Sequence, residues 1–202
     1  MSKHFQQLLI ATGNAGKLAE FRRMLDGDNI NIIGLDEFPD IVDVEETGAT
    51  FAENAVLKAI GYAQQTGIAA LADDSGLEVH SIGGRPGVHS ARYLGDVSFE
   101  DRMESILIEL AADGLDRSAR FVSSIAIALP DGNIIEQVDG VCSGKIAAAQ
   151  RGTNGFGYDP IFVPDGHELT FGELSDEIKD EISHRSDALR KIIPKIRGFT
   201  AY

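Results

Sequence analysis

The chain has a single cysteine, Cys142, among its 202 residues. No internal disulfide can form, and that suits a reducing compartment such as the cytoplasm. Basic residues are also few. Eighteen lysines and arginines stand against 32 aspartates and glutamates, a formal net charge of -14. Such an acidic surface repels a nucleic-acid backbone and an anionic membrane, so neither is an expected partner. Most of the acidic residues serve solubility. A small anion can still bind where a few cations and a divalent metal gather. No apolar run approaches the roughly 20 residues of a membrane span. The opening residues, MSKHFQQ, hold no apolar stretch of leader length. Repeats, low-complexity tracts and linkers are absent. The length suits one domain, or one domain with a lobe, that buries roughly 70% of its unfolded surface.

The hydrophobic pattern alternates between strand and helix. Leu8 to Thr12 reads as a buried strand, followed by a helix from Gly16 to Leu25 with Leu18, Phe21 and Leu25 on one face. Ile30 to Leu35 is a second strand. Thr50 to Gln65 is the clearest helix: Thr50 and Glu53 form a capping box, and Ala52, Ala55, Val56, Ala59, Ile60 and Ala63 make its apolar stripe. Ile68 to Ala72 reads as a short strand ending at Asp73-Asp74, and Leu77 to Ile82 as another. Ser98 to Ala112 is helical. Ala119 to Leu129 and Asn133 to Cys142 are β-rich runs around the turn Pro130-Asp131-Gly132. Helices over Ser175 to Ser183 and Ser186 to Arg197 close the chain. Leu189, Ile192, Ile193 and Ile196 form the core face of the last, and Pro194 predicts a kink or early stop there. The class is α/β with a mixed sheet.

Several short stretches carry chemistry. In ATGNAGK, Ala11 to Lys17, a strand passes through a turn with two glycines into a helix. Helix N-termini expose backbone N–H groups and are partly positive, so Lys17 is misplaced unless something negative sits there. Gly13 and Gly16 leave room for a ligand, and Thr12 and Asn14 add side-chain donors. The string is not a Walker A loop, and an ordinary strand–helix turn with a solvated lysine is the alternative. EETG (Glu45 to Gly48) and ADDSG (Ala72 to Gly76) place acidic pairs where ligands of α/β sheets gather. Mg²⁺ takes one or two carboxylates plus waters and phosphates. The alternatives are a solvated loop for the first pair and a plain turn for the second. Asn54 and Lys58 lie one helical turn apart, facing either the site or solvent. GTNGFGYDPIF, Gly152 to Phe162, sets Phe156 and Tyr158 among glycines, to frame a flat heterocycle or to plug the core. Ser183-His184-Arg185 joins the last two helices, as caps or as site residues.

Taken with EETGATFAENAVLKA, ADDSGLEV, GGRPGVHSARY and ISHRSDAL, these stretches resemble the inosine triphosphate pyrophosphatase family, also called dITP/XTP pyrophosphatases. The likeness covers nearly the whole chain in order. It implies an elongated two-lobed α/β protein, a single domain over residues 1–202 around a central nucleotide-binding cleft, and a cytoplasmic homodimer. It also implies Mg²⁺-dependent hydrolysis of dITP, ITP and XTP to the monophosphate and pyrophosphate. By position, Thr12, Gly13, Asn14, Ala15, Gly16 and Lys17 would bind the triphosphate, and Lys58 would neutralise its charge. Glu45 and Asp74 would hold Mg²⁺, with Asp74 also the base that activates water. Ser75 would contact substrate. Phe156, Gly157, Tyr158, Asp159, Lys179, His184 and Arg185 would bind the nucleotide, chiefly its base. His89 stands where the family often has tyrosine, Tyr158 where some members have tryptophan, and Pro194 interrupts the last helix.

Arg185 offers only hydrogen-bond donors. It suits a 6-oxo purine and opposes the 6-amino group of adenine. Two other classes compete: a Maf-type pyrophosphatase acting on pyrimidine or modified nucleotides, and a module that binds nucleotides without cleaving them. The paired carboxylates argue against the second.

Overall fold

The computed structural model describes residues 7–26, 30–112 and 114–198. The leader reading of the first residues falls, Gln7 apart, outside the described residues. Strands are β1 Gln7–Ile10, β2 Asn31–Gly34, β3 Ala70–Val79, β4 Arg85–Pro86, β5 Ser118–Ala128, β6 Ile134–Ile146 and β7 Phe162–Pro164. Helices are α1 Ala15–Met24, α2 Phe51–Thr66, α3 Phe99–Ala112, α4 Asp176–Ile182 and α5 His184–Gly198. The strands make one sheet in the order β2-β1-β3-β5-β6-β7, with β4 against β3. It is mixed as expected: β1 runs parallel to β2 and β3, while β3–β4 and β6–β7 are antiparallel. No helix among the described residues is long and apolar enough to cross a membrane.

The chain divides into two compact units. The first takes residues up to Asp74, Ser123–Gly140 and the chain from Ser186; the second takes Ser75–Val122 and Val141–Arg185. In the first unit, strand alternation sorts side chains onto two faces. Leu8, Ile10, Leu71, Ile125 and Ile127 pack with Phe21 of α1, with its C-cap Leu25, and with Leu189, Ile192 and Ile196 of α5. Leu9, Ala70, Ala72, Ala126 and Ala128 pack with Ala55, Ala59 and Ala63 of α2. These small residues let α2 lie close to the sheet. The second unit has its own core, built from Leu77, Ile106, Leu110, Phe121, Tyr158, Phe162 and Phe171.

The cap of α2 follows the sequence with one change. Thr50 Oγ1 accepts from the Glu53 N–H at 3.1 Å, and the Glu53 carboxylate reaches the N–H of Ala49, not that of Thr50, at 2.6 Å. The hairpin turn at Pro130-Asp131-Gly132 forms, with Gly132 N–H bonded to Leu129 O.

Two expectations are corrected. Asp73 and Asp74 do not end a strand; β3 continues through them to Val79. The first part of β3 is paired with β1 and the last with β4. Both acids have cationic partners, so neither must turn out to solvent. Gly76 permits the close approach of the next segment, since a Cβ there would lie 2.6 Å from Gly87 O. The early stop at Pro194 is absent too, because α5 runs through it to Gly198. Proline removes one helical hydrogen bond. Ile192 and Ile196, buried on either side of it, hold the last turn by packing.

Candidate active site

In the first unit, successive residues of β3 point to opposite faces, so Asp73 and Asp74 diverge. Asp74 lies on the α2 face. Its two oxygens accept from Asn54 Nδ2 at 3.2 Å and from Lys58 Nζ at 2.9 Å. Asn54 and Lys58 share that face because they are one helical turn apart. Both are buried, which rules out the solvent-facing reading. Lys58 Nζ also donates to the Asp73 carbonyl at 3.0 Å and pairs with Glu46 at 2.9 Å.

Burial pushes the Asp74 carboxyl above the usual range. Lys58 pulls it back without fully offsetting the desolvation, and the Glu46 charge pushes the same way as burial. For Lys58, burial acts to lower the pKa, but Asp74 and Glu46 together outweigh it and the ammonium is stabilised.

Asp73 faces the other way, with its carboxylate fully enclosed. It pairs with Lys17 Nζ at 2.7 Å and accepts from Ser123 Oγ at 2.5 Å. The negative partner that Lys17 needs at a helix N-terminus is therefore present within the protein itself. In the turn, Thr12 Oγ1 accepts from the Asn14 N–H at 3.2 Å, and Asn14 Oδ1 caps α1 by accepting from the Lys17 N–H at 3.0 Å. Both side-chain oxygens thus act as acceptors within the turn. Gly13 is exposed, and a Cβ there would meet nothing within 4 Å among the described residues.

The acidic loop before α2 is pinned to that helix. The Gln65 amide accepts from the Val42 N–H at 2.8 Å and donates to the Val42 carbonyl at 2.9 Å. Gly48 N–H donates to Asn54 Oδ1 at 2.8 Å. This places Glu46 against Lys58 and so beside Asp74. Glu45, the residue assigned to metal from sequence, is exposed. No group of three or more metal-ligating side chains occurs among the described residues.

The second unit builds a different environment. Arg185, in the first turn of α5, is almost wholly buried and donates from Nη2 to Ser75 Oγ at 2.9 Å. Lys179 and Asp159 form a buried pair at 2.5 Å, and the same Asp159 oxygen accepts from the Phe156 N–H at 2.7 Å. Gly155 makes this possible: its φ is +70, and a Cβ would crowd Asp159 and come within 3.1 Å of Lys179 Nζ. The half-buried Phe156 ring has Lys179 Nζ 4.6 Å and the Arg185 guanidinium 5.7 Å from its centroid, both within cation–π range. Gly157 has φ +63 in the same bend. His184 stacks on Phe121, with centroids 4.7 Å apart and planes within 12°. Tyr158 plugs the core. Its hydroxyl donates to Ser90 O at 2.9 Å, and burial pushes its pKa up. Its ring is thus enclosed by protein.

Sequence reasoning missed Ser123 and Phe121, and it named Glu46 and Asp73 only as members of acidic pairs that could hold Mg²⁺. A continuous strand through ADDSG would have separated the two aspartates by alternation alone. Ser123 and Phe121 depend on long-range approach and carry no local signal.

These features define an α/β protein with a buried carboxylate–lysine centre beside a glycine-rich strand–helix turn, and a cationic aromatic environment in its second unit. The chain belongs to the Ham1 family, whose sequence model matches residues 8–195. It is 46% identical over 189 residues to a dITP/XTP pyrophosphatase of Synechococcus sp. (strain CC9311), covering 94% of this chain and 89% of that protein. The structure of a HAM1 protein from Coxiella burnetii superposes with a TM-score of 0.84 at 43% identity, over 93% of this chain and 96% of the other. A nucleoside-triphosphatase / dITP/XTP pyrophosphatase from Mycobacterium abscessus superposes with a TM-score of 0.73 at 42% identity, over 93% and 99%.

Proposed function

We infer that this chain hydrolyses dITP, ITP and XTP to the monophosphate and pyrophosphate. The observation that carries the reading is Asp74, a buried carboxylate held on both oxygens by Asn54 and Lys58. Such a fixed, partly desolvated carboxylate is suited to general-base work. Water adds to the α-phosphorus, its proton passes to Asp74, and the α–β anhydride bond breaks with pyrophosphate leaving. Lys17 and Lys58 neutralise charge on the phosphates, the main requirement of phosphoryl chemistry. The N–H groups of Gly13, Ala15 and Gly16 receive phosphate oxygens at the α1 N-terminus. A Cβ at position 13 would meet nothing within 4 Å among the described residues, so the backbone there is open to a ligand.

Mg²⁺ fits the chemistry of this centre. Asp74 and Glu46 flank one lysine, Lys58, both offer hard oxygens, and Mg²⁺ favours few carboxylates completed by waters and phosphates. Asp74 and an acid of the pinned loop would hold it. When bound, it supplies charge neutralisation at the phosphate oxygens. Glu46 is the loop acid already beside Lys58, so we expect Glu46→Gln to weaken Mg²⁺ binding more than Glu45→Gln. Calorimetric Mg²⁺ titration of both variants checks this; a stronger effect of Glu45→Gln would return the ligand role to that residue.

In the second unit, Arg185, Lys179 and Phe156 take the base, with Ser75, Asp159, Gly157 and His184 supporting them; of Tyr158, only the backbone is available. The protein is expected to act as a homodimer, which light scattering after gel filtration would check. The whole reading is tested by steady-state hydrolysis of a nucleotide panel with product identification. Inosine monophosphate with pyrophosphate supports it. Diphosphate with inorganic phosphate, preference for pyrimidine nucleotides, or no turnover would reject it.

A further inference from the structure

Asp73 is a buried carboxylate that the reaction above does not use. Its neighbour Asp74 is committed to the opposite face of β3. Burying a charge is costly unless it is paired and hydrogen-bonded, and Asp73 has both kinds of partner. Ser123 Oγ holds one oxygen at 2.5 Å and Lys17 Nζ takes the other at 2.7 Å. The match follows from strand register: Ser123 shares the parity of Ile125 and Ile127, the β5 residues on the face of Leu71 and therefore of Asp73. Asp73 also presents its backbone carbonyl to Lys58 Nζ at 3.0 Å. One residue thus touches both lysines of the first unit's centre.

We propose that Asp73 and Ser123 are positioning residues that fix the Lys17 ammonium for the triphosphate. This rests on the reading of Lys17 as a phosphate ligand. A lysine is a flexible point charge with three donors, so its effectiveness depends on being held before the ligand arrives. One donor is committed to Asp73. Because Ser123 anchors the other Asp73 oxygen, the carboxylate cannot swing after the ammonium. Asp73 also supplies the charge that makes a lysine tolerable at the partly positive end of α1. The triphosphate then meets an ammonium already in place, and losing that placement costs rate through poorer alignment at the phosphates.

The test is a double-mutant cycle read in kcat/KM for dITP, with melting temperature followed in parallel. Asp73→Asn keeps the shape and removes the charge; Ser123→Ala is the milder variant if Asp73→Asn folds poorly. Asp73→Asn is expected to lower kcat/KM roughly tenfold, and Ser123→Ala about threefold. In the Lys17→Ala background each should change it less than about twofold, because interacting residues are not additive. A loss by the same factor in both backgrounds, or no loss in the wild-type background, would overturn the proposal and leave the phosphate role of Lys17 standing. Unchanged kcat/KM for Lys17→Ala alone would overturn that role and the proposal with it.

Discussion

Asp74→Asn is expected to lower dITP turnover roughly a hundredfold or more, the range of lost general-base catalysis. The amide keeps the size of the side chain but accepts no proton at working pH. The variant stays folded, because Lys58 retains Glu46 and the Asp73 carbonyl. For Asp74 itself linkage acts in the same direction, while Lys58 keeps Glu46 but loses one of the two charges that raise its pKa. Burial holds the Asp74 pKa above its ordinary value of 3.8. Between those two values the folded state binds more protons than the unfolded one, so stability falls as pH rises through the window. Asparagine does not ionise and avoids that loss. Single-turnover hydrolysis beside a thermal melt at neutral pH decides the matter. A variant with near-normal turnover would remove Asp74 from the chemistry, and a collapsed melting temperature would make its role structural.

Arg185→Ala is expected to erase most of the preference for dITP over dATP. A guanidinium donates and never accepts, so it gains a hydrogen bond from a 6-oxo purine and none from a 6-amino group. A hydrogen bond to a charged group is worth about 1.5–3 kcal/mol, or roughly a ten- to hundredfold fall in the kcat/KM ratio. Arg185 is almost wholly buried and bonded to Ser75, so the variant will also lose stability. The ratio of two substrates on one preparation is insensitive to that loss. If dITP and dATP fall by the same factor, Arg185 serves the phosphates or the fold instead of the base.

The local elements were legible because their causes are local. The capping residues of α2, the 3.6-residue stripe of Ala55, Ala59 and Ala63, and the turn at Pro130-Asp131-Gly132 each announce themselves within a few residues. Asp73-Asp74-Ser75-Gly76 misled for the opposite reason. By local propensity the string is a turn, and it is a strand only because distant segments supply Lys17, Lys58 and Ser123 to its carboxylates. Pro194 is similar: its local effect is to break a helix, and the burial of Ile192 and Ile196 overrides it.

The candidate site divides along the same line. Sequence alone determined the chemical types: a glycine turn with a lysine, acidic pairs, a glycine-aromatic bend, and an arginine near the junction of the last two helices. Those types sit in short contiguous strings whose order carries the family resemblance. Only the tertiary structure decided the partners. It gave Asp74 to Asn54 and Lys58, Asp73 to Lys17 and Ser123, and Glu46 to Lys58. It also sent the Tyr158 ring into the core while leaving Phe156 beside two cations. The physical reason is that ion pairs and buried hydrogen bonds depend on separations of about 3 Å. The chain closes those separations between residues as far apart as 17 and 73, or 75 and 185, through packing that no short stretch of sequence encodes.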